Sequence, residues 1–182
     1  MQTMGKEPVQ AMNSFIREQQ KANVQGSLFS LYTFASGIRK IYDRVDLATV
    51  GEYKDYNPDG MTCLFDCIKQ AIHDNQERKN TVFVIITDGD DTASQKCKRD
   101  EAKQLISSRE KDYNWQLVFL GANQESFKTS SDLGISRGAN AAYSQVKGGD
   151  LSAVMQKLSV PIAAYRSASA AAGVPQKLDL SQ

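Results

Sequence analysis

The sequence predicts an α/β fold: a doubly wound, mostly parallel sheet with helices on both faces. Three observations point there. "TVFVIIT" (81–87) is apolar at successive positions, the pattern of a strand buried on both faces. "WQLVFLG" (115–121) repeats that pattern, and each run is followed by a stretch with helical spacing. Strand and helix patterns alternate along the chain, as right-handed βαβ units require.

The elements follow in order. "PVQAMNSFIREQQ" spaces Val9, Met12 and Ile16 as a helix does, with Phe15 beside them and Pro8 in the first turn. "SLFSLYTFA" (27–35) is a strand rich in aromatic and aliphatic residues, and Ser36-Gly37 marks a turn. "RKIYDRV" (39–45) alternates Ile41 and Val45 with polar residues, which predicts a half-exposed antiparallel strand near an edge. After a polar loop, "TCLFDCIKQAIHD" sets Leu64, Ile68, Ala71 and Ile72 on one helical face. Residues 96–112 predict a charged helix with Ala102, Leu105 and Ile106 inward. "QESFKTSSDLG" predicts a short helix closed by Gly134 as its C′ residue, and "NAAYSQV" (140–146) a last edge strand. "DLSAVMQKLSVPIAAYR" is a helix that Pro161 should kink or interrupt. The domain therefore spans 1–166, and 167–182 is a tail rich in alanine and serine.

Composition removes several classes. With 182 residues, 41% hydrophobic and 24% charged, the chain has the balance of an ordinary folded domain. A net charge of +1 gives no electrostatic footprint for nucleic acid or an anionic membrane. The longest apolar run is too short to span a bilayer, and no secretory leader pattern opens the chain. Three cysteines, Cys63, Cys67 and Cys97, suit reduced thiols in a cytoplasmic or intracellular protein. Cys63 and Cys67 lack two further ligands at workable spacing for zinc, so they are expected to be buried helix residues. Trp115 is expected in the core, and the alternating charges of 96–111 on a solvated face.

In such sheets ligands bind beyond the carboxyl ends of the strands. Three loops converge there: "DYNPDGMT" (55–62), "TDGDDTAS" (87–94) and "GANQ" (121–124). Asp88 offers an anionic oxygen and Thr62 a hydroxyl, a pair that suits Mg²⁺, which keeps several waters. Two ligands are too few for a tight site. The competing reading is capping: Thr62 for the helix it opens, and Asp90, Asp91, Thr92 or Ser94 for the next. Asp66 either braces the site loop or favours the positive end of its helix.

"VIITDGDD", preceded by "PDGMTCLFDCIKQAI" and followed by "WQLVFLGANQESFKTSSDLGI", resembles a von Willebrand factor type A domain. It is most similar to the small intracellular members of bacteria and their viruses, and the resemblance covers about residues 1–166. It implies a Rossmann-like sheet in order 3-2-1-4-5-6, the third strand antiparallel, with a metal-ion-dependent adhesion site at its carboxyl edge. By that resemblance Thr62 and Asp88 are metal ligands. Asp59, Gly60, Asp66, Gly89, Asp90, Asp91 and Asn123 then support the site loops. The family's D-x-S-x-S motif follows its first strand and supplies the remaining ligands. Here the chain opens "MQTMGKEPVQAMNSF", so Met1 aligns just after that motif. The first, central strand is therefore expected to be absent from this chain. A misplaced start, a shortened chain, or a strand supplied from elsewhere would each account for this, the first two more readily.

Three functions follow. The leading one is a non-enzymatic protein-binding module with no catalytic residue and a partial metal site. Mg²⁺ binding would be weak or absent, and a protein partner would meet the carboxyl edge, with an oligomer compatible. The second is an assembly component, of a virion or another large complex, whose sheet a partner completes. The third rests on the D-x-D-x-T pattern of haloacid-dehalogenase-type phosphatases, with Asp88 as nucleophile and Asp90 as general acid. That family needs a later lysine and an acidic pair, and no acidic pair follows Asp91 on a strand end.

Overall fold

The computed structural model describes residues 4–58, 60–122, 124–135, 140–142, 150–172 and 178. Five helices and five strands are found among them. Helix α1 (Glu7–Lys21) leads into an antiparallel ribbon of β1 (Leu28–Phe34) and β2 (Ile38–Asp46). After a 3-10 turn at Leu47–Thr49 and a long loop comes α2 (Leu64–Asp74). Then β3 (Val82–Thr87), α3 (Arg99–Tyr113), β4 (Gln116–Gly121), α4 (Gln124–Asp132), β5 (Asn140–Ala142) and α5 (Asp150–Ala172) follow.

Strands β3, β4 and β5 form a parallel sheet in that order, with Ile85 opposite Phe119 and Phe119 opposite Asn140. Successive residues of a strand point to opposite faces, and this sorts the core into two. Phe83, Ile85, Leu117 and Phe119 pack with Leu64, Ile68, Ile72, Ala102 and Ile106 of α2 and α3. Val82, Val84, Val118 and Leu120 pack on the other face with Ala11 and Phe15 of α1 and with Leu151, Met155, Leu158 and Ile162 of α5. Apolar residues at every strand position are thus explained by helices on both faces. Trp115 lies in the first core, its indole N–H donating to Arg78 O (2.7 Å) and its ring edge-on to Phe83.

The architecture is thus mixed α/β, with a parallel sheet of three described strands flanked by helices. The β1–β2 ribbon is a separate two-stranded sheet, not bonded to the first. A bulge near Phe29 and Leu31 bends the ribbon. It leaves the Arg44 amide, at φ +51°, unpaired in the ladder, and the Ser30 hydroxyl accepts it (3.0 Å).

Four expectations change. The buried stripe of α1 is Glu7, Pro8, Ala11, Phe15, Ile16 and Gln19: Phe15 and Ile16 are inward as expected, whereas Val9 and Met12 are half-buried, Met12 packing against the core. The difference comes from α5, which packs alongside: Gln19 donates to Ser159 O (2.8 Å), and Glu7 accepts the Leu151 amide (3.1 Å). Strand β3 is only half-buried at Val82, Phe83, Val84 and Ile86, because its flank away from β4 opens on a cavity. Helix α5 runs unbroken through Pro161 and on to Ala172, so the alanine- and serine-rich segment begins as helix. Leu105 is half-buried, while Ala102 and Ile106 are fully inward. The last strand is seen at 140–142, and the rest of the expected 140–146 lies outside the described residues. Gly134 closes α4 at φ +80°, as its position implied.

Candidate functional site

The carboxyl ends of β1 and β3 meet at the amino end of α2. Ala35 O, just past β1, accepts the Cys63 amide (2.9 Å). Thr62 is zipped to the loop after β3: its carbonyl accepts the amides of Thr92 (2.8 Å) and Ala93 (3.0 Å), and its amide donates to Thr92 Oγ1 (3.0 Å). At its other end α2 reaches the middle of β1, where the Tyr32 hydroxyl donates to Asp74 (3.0 Å). Strands β1 and β3 therefore run in the same direction on either side of one cavity of about 1120 Å³. Every residue of both strands lines it.

Thr62 does not cap α2. The N-cap is Cys63, whose side chain makes no capping bond. The first-turn amides are satisfied across the loop instead: Phe65 N–H donates to Asp91 Oδ1 (3.1 Å), and Asp66 N–H to Ser94 Oγ (3.0 Å). Ser94 Oγ in turn donates to Asp91 Oδ1 (2.5 Å). The Asp66 carboxylate returns the favour, accepting the Gln95 and Lys96 amides, both at 2.9 Å. It is therefore a brace for the segment beyond the site loop. Asp90 accepts its neighbour's amide (2.9 Å) and the Thr129 hydroxyl of α4 (2.6 Å). Thr87 closes the turn, its hydroxyl donating to Gly89 O (3.0 Å). A Cβ at Gly89 would lie 3.9 Å from Thr62 Oγ1, so the turn passes close over that hydroxyl.

Three of the acidic candidates, Asp66, Asp90 and Asp91, are thus turned to the architecture of the loops. Thr62 and Asp88 both line the cavity, and the Thr62 hydroxyl makes no hydrogen bond among the described residues. Gly60 lies at the rim with φ +84°, next to exposed Met61. Asp59 and Asn123 fall outside the described residues. Tyr56 also lines the cavity, its hydroxyl buried and without a partner among the described residues. Burial pushes that phenol up to about 12. The sequence reading missed Tyr56, and it assigned capping by Asp91 or Ser94 to the following helix, whereas both satisfy amides of α2 and the N-cap of α3 is Lys98, with no side-chain capping bond.

As a cation site the donor set is thin. Mg²⁺ takes six oxygens in near-octahedral array, and Thr62 and Asp88 bring one neutral and one anionic oxygen donor. Among the described residues no three His, Cys, Asp or Glu gather where they could hold a metal. These residues alone do not fit a tight magnesium site. The cysteines are free and buried, and burial raises the thiol pKa of Cys63, of Cys67 and, to about 11, of Cys97. Burial of this kind disfavours the thiolate, the reactive form of cysteine.

No family model, curated protein or solved structure matches this chain. Among the described residues no helix is long and apolar enough to cross a membrane.

Proposed function

We propose that this chain is a non-enzymatic protein-binding module of the von Willebrand factor type A kind, meeting its partner at the carboxyl edge of the sheet. The observation that carries the reading is that Thr62 and Asp88 line one cavity at the carboxyl ends of β1 and β3. In the type A order, the first strand stands between the second and the fourth. The cavity between β1 and β3 falls at that place, which supports an architecture lacking that strand. Thr62 and Asp88 then form a partial metal-ion-dependent adhesion site with weak affinity or none for Mg²⁺. Exposed Met61 and the orphan Tyr56 hydroxyl give the edge an apolar contact and an unused hydrogen-bonding group. The buried, unbonded cysteines suit a reducing intracellular compartment. A phosphatase reading is weaker, because Asp90 is bonded to Thr129 and to its neighbour's amide.

Titration with terbium and with Mg²⁺, read by luminescence and by amide shifts at 60–63 and 87–92, tests the site. Weak binding, millimolar or worse, is expected. Tight binding abolished by Asp88→Ala would overturn the partial site. Magnesium-dependent hydrolysis of a generic phosphate ester, lost in Asp88→Asn, would overturn the non-enzymatic reading.

A further inference from the structure

Gln116 breaks the pattern of its strand. It opens β4 with its side chain on the face that Val118 and Leu120 turn toward α1 and α5, a face otherwise apolar. A polar group brought to such a face has to find partners. Gln116 finds two. Its Nε2 donates to Asn114 Oδ1 (3.4 Å), and its Oε1 accepts the amide of Leu178 (2.9 Å). Asn114 is tied in turn to α5: its Nδ2 donates to the Tyr165 hydroxyl (3.3 Å), which donates to Asn114 O (3.2 Å). A side-chain amide carries a donor and an acceptor on one planar group, so glutamine serves here where glutamate or leucine would not.

Leu178 is the only residue described beyond the end of α5 at Ala172. Its side chain is half-buried and packs against the core that α1 and α5 share with the sheet. Two separate contacts, one of main chain and one of side chain, therefore hold it to the amino end of β4. That is the end of the parallel sheet opposite to Thr62 and Asp88.

We infer that the C-terminal segment is a latch, closed at Leu178 within the same chain, with the Gln116 side chain as its catch. The latch is light. One hydrogen bond and one half-buried leucine hold it, whereas β4 is held by a parallel ladder and by core on both faces. It therefore opens alone, without unfolding the sheet. Opening uncovers an apolar seat and releases Gln116 Oε1 at the amino end of β4. The latch owes nothing to a metal at Thr62 and Asp88, so it stands or falls apart from the adhesion-site reading.

The test uses the full chain. In the native protein the Leu178 amide should exchange roughly tenfold or more below its free-peptide rate, yet faster than the Leu120 amide of β4, and mild denaturant should leave it unchanged. Gln116→Leu removes the catch and keeps the face apolar. It should raise Leu178 exchange about fivefold, the worth of one ordinary hydrogen bond. Leu120 exchange in the same sample reports any general loss of stability, so the ratio of the two rates isolates the latch. Leu178→Ala, which keeps the amide and trims the side chain, should quicken tryptic cleavage after Lys177 about fivefold. The inference is overturned if Leu178 exchanges at the free-peptide rate in the native chain. It is equally overturned if Gln116→Leu leaves that exchange unchanged relative to Leu120, if Leu178→Ala leaves the cleavage rate unchanged, or if Leu178 exchange follows that of Leu120 under denaturant. Protection that rises with protein concentration would also overturn it, because the segment would then be seated on a second copy.

Discussion

Asp91 illustrates how a single side chain serves two elements at once. Its Oδ1 accepts the Phe65 amide at the start of α2 and the Ser94 hydroxyl of its own loop. Losing a helix cap of this kind costs about 1–2 kcal/mol. Asp91→Ala should therefore lower stability in urea by that amount. Asp74 makes a second prediction. Burial pushes its carboxyl up, but bonds from Lys40, Tyr32 and Gln70 outweigh that and hold it below the usual carboxylate value. A carboxyl lowered by folding stabilises the native state above its unfolded value, and that contribution is lost as pH falls through its folded value. The urea midpoint of Asp74→Asn should fall below that of the native chain at pH 7, and the gap should close on acidification toward pH 3. A gap that stayed constant would show that these bonds act through packing rather than charge.

At the scale of elements, β4 and α4 are joined at Gly121. A Cβ there would fall 2.6 Å from Ser126 Cβ and 3.3 Å from the Phe119 ring, so only glycine lets the helix turn back this closely. Ser126 and Ser130 are fully buried in that contact zone. Gly121→Ala should destabilise by about 1–3 kcal/mol, the cost of overpacking a filled core. Adding Ser126→Gly should recover part of it, a coupling that a double-mutant cycle reads directly. The helices show where periodicity suffices and where it does not. In α2 the inward face of Leu64, Ile68, Ala71 and Ile72 was legible because one sheet face receives it. In α1 Phe15 and Ile16 were legible but Ala11 and Gln19 were not, because α5 shares the burial, and polar Gln19 and Glu7 are taken inward by bonds to α5. Pro161 removes one ladder donor, yet α5 continues through it, with Leu158 and Ile162 anchored in the core on either side.

For the whole molecule, the two-faced packing of β4 is the centre of stability. Phe119 is fully buried between the sheet and the α2–α3 layer. Phe119→Ala should cost about 3–5 kcal/mol in chemical denaturation, the range for a large aromatic removed from a core. Amides of Phe119–Gly121 in β4, where β3 and β5 flank both edges, should exchange most slowly, whereas β1 and β3, each with an edge on the cavity, should exchange faster. Protection of β3 equal to that of β4 in the isolated chain would mean the cavity edge is already occupied.

From the sequence alone came the α/β class, the two doubly apolar strands, the antiparallel ribbon and the crowding of Thr62 and Asp88 toward one edge. These are local properties: side-chain periodicity and turn chemistry are written within a dozen neighbouring residues. What Asp66, Asp90 and Asp91 do was decided only by tertiary structure. A carboxylate beside a strand end can cap, brace or ligate, and each of these has a partner far along the chain: Gln95 and Lys96 for Asp66, Phe65 for Asp91 and the Thr129 hydroxyl for Asp90. The open flank of β3 was likewise invisible in "VFVIIT", because an apolar run records that a strand is covered on its faces and says nothing of whether its edges are paired.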